Sequence, residues 1–142
     1  MSVLFARFAL AVGFFSAVGD RLGWWGPYGT PTVAWGDMQH FMPYVAQLNP
    51  WFPASVIPLV GWIATITEIV LGAWLIVGYK MRLAALCSGW LLVAFAAGMS
   101  AGPGVKTAFN ASVFAAAGAA FLLAGARPDR WSVDGRRATN HS

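Results

Sequence analysis

Apolar residues fill four long stretches of the chain, roughly 3–19, 56–78, 83–100 and 105–125. At 1.5 Å of rise per residue, helices of those lengths extend about 25–35 Å, enough for a hydrocarbon core of roughly 30 Å. A helix satisfies its own backbone polar groups, which lipid cannot do. The pattern therefore predicts an all-α fold, a four-helix transmembrane bundle. Residues 20–55 between the first two stretches differ in character, with Trp24, Trp25, Trp35 and Trp51, two tyrosines and five prolines. Aromatic rings of this kind gather at the headgroup level. Within this segment Phe41, Tyr44, Val45 and Leu48 recur at i, i+3, i+4 and i+7, one helical face. Asp37 is placed to cap that helix and Asn49-Pro50 to end it, while Pro43 weakens its middle. The expectation is a short, kinked interfacial helix between helices 1 and 2.

Composition agrees. The 142 residues are 58% hydrophobic and 10% charged, where a soluble globule carries about 25% charged residues. Lys80 and Arg82 lie between the second and third stretches, and Arg127, Arg130, Arg136 and Arg137 follow the fourth. The positive-inside rule puts these segments and both termini on the cytoplasmic side of a membrane, as in a bacterial inner membrane. Arg21 and Lys106 fall on the other side, with Asp20 and Asp37 as counterweights. This asymmetry and anionic lipid headgroups account for the +4 net charge, so the lipid bilayer is the expected partner and nucleic acid is not. The chain reads as one membrane domain, 1–126, followed by a basic cytoplasmic tail, 127–142, expected to be disordered beyond about Trp131. An alternative for the first stretch is a cleaved signal peptide, since within it Arg7 comes before an apolar run and Ala17-Val18-Gly19 resembles a small-residue cleavage site. Cys87 stands alone, which excludes an intrachain disulfide or a thiolate cluster and suggests a packing role.

Glu68 lies in the middle of the second stretch. Its cost at that depth, about 2.5–3.5 kcal/mol, is met by surrounding Ile, Leu and Val, each favourable by up to about 0.3–0.6 kcal/mol. A carboxylate there belongs in a bundle interior and is a candidate functional group. Small residues predict the seams: Ala6, Ala9, Gly13, Ser16 and Asp20 in span one, Gly61, Thr65, Glu68 and Gly72 in span two, and Ala108, Ser112, Ala115 and Ala119 in span four. Arg7 is the natural partner of Glu68, forming a candidate proton or charge pair. Depth argues against it, because helical side chains lean toward their own N-terminus and would separate these two. The alternatives are a protonated Glu68 or one bonded to Thr65 or to a polar group on another span. At the outer end Asp20, Trp24, Trp25, Asp37 and His40 form a candidate ligand-binding mouth. No metal site is expected, since His40 has no second histidine nearby.

These residues resemble the DoxX family of small four-span membrane proteins. The similarity is carried by Asp20-Arg21-Leu22-Gly23 after span one, by Glu68-Ile69-Val70-Leu71-Gly72 with Leu75, Gly78 and Arg82, by Gly36-Asp37 through Phe41, by Leu48-Asn49 and Phe52-Pro53, and by Lys106 with Ser112-Val113-Phe114. The resemblance implies an accessory subunit of a quinone-linked membrane oxidoreductase, with a membrane or peripheral redox partner supplying or accepting electrons. The chain has no cysteine pair or cofactor motif of its own, so the redox centre would be the quinone or that partner. The competing expectation is a non-catalytic scaffold or small-molecule binding or transport protein, acting as a homo-oligomer, in which the buried charges are structural.

Overall fold

The structure, a computed structural model, describes residues 1–127, 129 and 131–139, without the side chains of 137–139. Every regular element among the described residues is a helix, and none is a strand. Helix α1 spans Ser2–Arg21, α2 Met38–Leu48, α3 Ile57–Val77 and α4 Met81–Met99. A π-helical turn, Ser100–Gly104, leads to α5, Val105–Asn110, followed by α6, Val113–Gly125, and α7, Val133–Thr139. Three helical runs are long and apolar enough to cross a membrane: Ser2–Arg21, Ile57–Val77 and Met81–Asn110, which contains α4. By length and composition this is a membrane protein. Helix α1 packs on α3 and α4 on α6, and α1–α6 and α3–α4 contacts join the two pairs.

The expected fourth span, 105–125, is not one continuous helix. Ser112 adopts a left-handed backbone, φ 53°, between α5 and α6. At 1.5 Å per residue α6 alone is about 20 Å long, short of a bilayer core. The break also resets the helical phase. Of the expected seam Ala108, Ser112, Ala115 and Ala119, only Ala108 is buried, and α6 instead buries Val113, Ala117, Ala120, Leu123 and Ala124.

The seam on α3 is the expected one, with Gly61, Thr65, Glu68 and Gly72 all buried. On α1 the buried line is Arg7, Ala11, Phe14, Val18 and Arg21, spaced alternately by four and three. Ala6, Ala9 and Gly13 sit beside that line, facing a cavity. Small side chains that were expected to close the helices together leave space there instead.

Helix α2 begins where expected, the Asp37 carboxylate accepting the His40 main-chain N–H at 2.8 Å. Phe41, Val45 and Leu48 are buried on one side, and the helix packs on α3, α4 and the π-helical turn. Cys87 is exposed, not packed.

The tail corrects a second expectation. Asp129 accepts a hydrogen bond from Arg7 Nη1 at 2.8 Å, and α7 docks against the turn between α3 and α4. Asp134 caps α4, its two oxygens accepting the N–H groups of Lys80 at 2.9 Å and Met81 at 2.8 Å. Its own N–H donates to the Gly78 carbonyl. Ser132 is fully buried. Residues 128, 130 and 140–142 of the expected disordered segment lie outside the described residues.

Gly78 is where these contacts meet. It has φ 70°, and a Cβ there would lie 2.7 Å from Ser132 Cβ and 2.8 Å from Arg7 Nη1. A side chain would carry left-handed strain of about 1–2 kcal/mol and an overpacking cost of about 1–3 kcal/mol. Gly78→Ala is therefore expected to lower the thermal unfolding midpoint in detergent. Gly118→Ala, with nothing within 4 Å of the new carbon, should leave it unchanged or raise it.

Candidate functional site

Arg21, the last residue of α1, is 5% exposed, and Glu68 in α3 is 2% exposed. The guanidinium donates to both carboxylate oxygens: Nη1 to Oε2 in a short contact, and Nη2 to Oε1 at 3.3 Å. Nη1 also donates to Thr65 Oγ at 3.1 Å, whose hydroxyl donates one turn back to the Gly61 carbonyl at 2.8 Å. The cluster clips α1 to α3.

Geometry explains why Arg21 and not Arg7 holds Glu68. Arg7 lies level with Gly78, as the 2.8 Å approach above requires. Glu68 is ten residues up α3 from that level, roughly 15 Å, and Arg21 is fourteen residues up α1 from Arg7, roughly 21 Å. Arg21 is thus only about 6 Å above Glu68. Because the helices are antiparallel, a lean toward each N-terminus carries Arg21 down and Glu68 up, closing the gap. The same lean parts Arg7 from Glu68, so the expected Arg7–Glu68 pair is not formed. Arg7, 1% exposed, instead binds Asp129 and approaches the Ile76 carbonyl at 3.5 Å.

Aromatic rings cover the pair. The Arg21 guanidinium carbon lies 4.1 Å from the Phe41 ring centroid and 5.8 Å from that of Trp35. Trp35 meets Phe41 edge-on at 5.0 Å and Tyr44 at 5.3 Å. A cation over ring faces gains electrostatic attraction, more when both are desolvated. Burial pushes the Tyr44 phenol up, against the pull of the Arg21 charge.

Asp20 sets this cover in place. Its carboxylate accepts the main-chain N–H groups of Ala34 at 2.9 Å, Trp35 at 2.8 Å and Gly36 at 3.1 Å. The loop before α2 is thereby tied to the end of α1. Asp20 and Arg21 act as one unit, the first fixing the aromatic cover and the second lying under it.

Two apolar cavities adjoin the pair. One, about 300 Å³, lies between α2, α3 and α4; the other, about 560 Å³, lies between α1, α4 and α6 and includes Glu68 in its wall. Arg21, Trp35, Phe95 and Met99 line both. Arg21 Nε is buried without a hydrogen-bond partner among the described residues. A buried donor left unmade costs about 1–3 kcal/mol, so the site is suited to a ligand carrying an acceptor.

Of the expected outer mouth, none of Asp20, Trp24, Trp25, Asp37 and His40 lines either cavity. Trp24 and Trp25 are exposed, with the Trp25 indole N–H donating to the Ser16 carbonyl at 3.0 Å. His40 stacks on Tyr28 at 3.9 Å, and its Nδ1 lies 2.9 Å from each Asp37 oxygen. Hydrogen bonds from the His40 main chain and ring hold the Asp37 carboxyl below the usual range. These contacts order the entry to α2. The site residues missing from the sequence-based set are Arg21 and Trp35; Thr65, expected as an alternative partner of Glu68, bonds to Arg21 instead. For Arg21 the signal was its fourteen-residue spacing from Arg7, nearly four full turns, which puts both on one face.

Breaking a buried ion pair by removing one partner costs about 3–5 kcal/mol, whereas replacing both by apolar groups is often neutral. Glu68→Gln and Arg21→Met are each expected to destabilise the protein by that order in detergent unfolding. The double variant Arg21→Met/Glu68→Leu should recover most of the loss; additive losses would show that the two do not act as a pair.

Comparison of the chain with protein-family models, with curated proteins and with solved structures returned no match.

Proposed function

We propose that the protein is a four-span membrane protein that binds a small, neutral, ring-shaped amphiphile of the quinone class beside Arg21. The observation that carries this reading is the position of Arg21 at the junction of two apolar cavities, with Nε buried and lacking an acceptor among the described residues. Glu68 already compensates the Arg21 charge. A second anion would be left uncompensated in low dielectric, so a neutral carbonyl is the better acceptor than a carboxylate. Both cavities fall at or above the lower size range for small-molecule sites, about 300–1,000 Å³. Residues fit such a group in chemistry: Arg21 supplies the donor, Trp35 and Phe95 the flat apolar walls. A bound quinone supplies two-electron, two-proton redox chemistry.

In the redox form of this proposal, which the DoxX resemblance favours, the chain is an accessory subunit. Glu68, ionised at rest, is the proton-accepting group and a partner subunit exchanges electrons. Spans run through α1, α3, α4 and the broken α5–α6 segment, with both termini cytoplasmic in a bacterial inner membrane. Support for that orientation comes from Arg21: the ion pair removes it from the outer surface and sharpens the excess of exposed Lys80, Arg82 and Arg127 at the opposite end.

A second reading, a purely structural pair in a non-catalytic scaffold, is favoured by one observation. Arg21, Glu68 and Thr65 form a polar clip inside the long α1–α3 interface.

Quenching of tryptophan fluorescence by a decyl-tailed benzoquinone in nanodiscs separates the two. The proposal expects saturable quenching, diminished in Trp35→Phe, with affinity at least tenfold weaker in the folded double variant Arg21→Met/Glu68→Leu. A charge-assisted hydrogen bond of about 1.5–3 kcal/mol sets that scale. Palmitate should not compete. Unsaturable quenching, or equal affinity in the double variant, would leave the structural reading standing.

A further inference from the structure

At the end of the fold opposite Arg21, a groove of about 1060 Å³ runs between α4 and α6. Three cations line it: Lys80 and Arg82 from the α3–α4 turn, and Arg127 just beyond α6. All three are exposed. Among the described residues Asp134 is the one carboxylate in the lining, and its two oxygens are taken by the N–H groups of Lys80 and Met81. Lys80 Nζ lies 5.5 Å from the Tyr79 ring. Among the described residues, none of the three cations has a carboxylate partner within salt-bridge distance.

Apolar side chains make up the rest of the groove. Leu83, Leu86 and Phe121 lie on the faces of α4 and α6 that lead from the cationic end toward the middle of the helices. Trp90, 66% exposed, continues the same face and meets Phe121 edge-on at 5.6 Å. The Phe121 ring reaches α4 at Gly89, where a Cβ would lie 2.7 Å from it.

We infer that this groove binds an anionic phospholipid. The phosphate lies among Lys80, Arg82 and Arg127, and an acyl chain follows Leu83, Leu86, Phe121 and Trp90. Charge complementarity selects the headgroup: three cations facing one already engaged carboxylate attract a phosphate in the surface layer of a membrane. The apolar wall selects a lipid over a soluble anion, which would gain nothing from contact with Phe121 or Trp90. This site is independent of the quinone proposal and rests only on the chain being a membrane protein.

Native mass spectrometry of the protein released from nanodiscs of equal phosphatidylglycerol and phosphatidylcholine tests it. The expected result is one retained phosphatidylglycerol per chain, in clear preference to phosphatidylcholine. Arg82→Gln/Arg127→Gln should weaken retention roughly twenty-five-fold, about fivefold for each of two surface cations. Lys106→Gln, at an exposed position outside the groove, should change nothing. Equal retention of the two lipids would overturn the inference, as would unchanged retention in the folded double variant. Displacement by millimolar inorganic phosphate as effective as by phosphatidylglycerol would assign the groove to a free anion and overturn it also. The two-lipid comparison uses the unaltered protein and stands whether or not the variant folds.

Discussion

A guanidinium and a carboxylate share one dry place, and the arrangement of the helices around them follows. Neither Arg21 nor Glu68 tolerates burial alone, since an unpaired ion in a low-dielectric interior costs several kcal/mol. Pairing fixes the height of α1 against α3. A slide of either helix by one turn would move the partners about 5.4 Å apart. Thr65 adds a third contact that sets rotation as well as height. The apolar remainder of the interface has no such preference, because lipid tails solvate Leu and Ile as well as another helix does.

What lies above the pair depends on it in turn. Asp20 is adjacent to Arg21 and points the other way, gathering three N–H groups from the loop that carries Trp35. Trp35 and Phe41 then cover the guanidinium, and the end of α1, the loop and α2 become a single cap. The opposite end is closed by an analogous device. Arg7 holds Asp129, and Asp134 caps α4, so the tail is fastened beneath the α3–α4 turn. Buried arginines four turns apart on α1 thus tie the helix to a different segment at each end. Between them the small residues of α1 and α6 leave the larger cavity.

Much of this was legible in the sequence. Apolar runs gave α1, α3 and α4 because length and hydropathy alone decide whether a helix can cross a bilayer. Asp37 and the Phe41–Leu48 spacing gave α2, and the Gly61–Gly72 spacing gave the buried face of α3. The break at Ser112 was not legible. Nothing in Asn110-Ala111-Ser112 forbids a continuous helix, and a left-handed turn at an exposed serine carries no local signal. Docking of the tail was hidden for a related reason: Asp129 and Asp134 find partners more than fifty residues away. The pairing of Glu68 was half legible. The N-terminal lean of side chains argues against Arg7 from the sequence alone; applied to Arg21 in an antiparallel neighbour, it identifies the partner. Treating Arg21 as a surface charge balanced by its neighbour Asp20 concealed that step.

Arg21 and Glu68 form a charged pair sealed from water. Infrared difference spectroscopy of the unaltered protein against Glu68→Gln, in nanodiscs, reads it directly. The substitution is expected to remove the stretching bands of an ionised carboxylate, bands that shift only slowly in deuterated buffer as the Arg21 N–H groups bonded to it exchange. Loss of a protonated carboxyl band, or of a carboxylate band that shifts at once in deuterated buffer, would rule the sealed pair out.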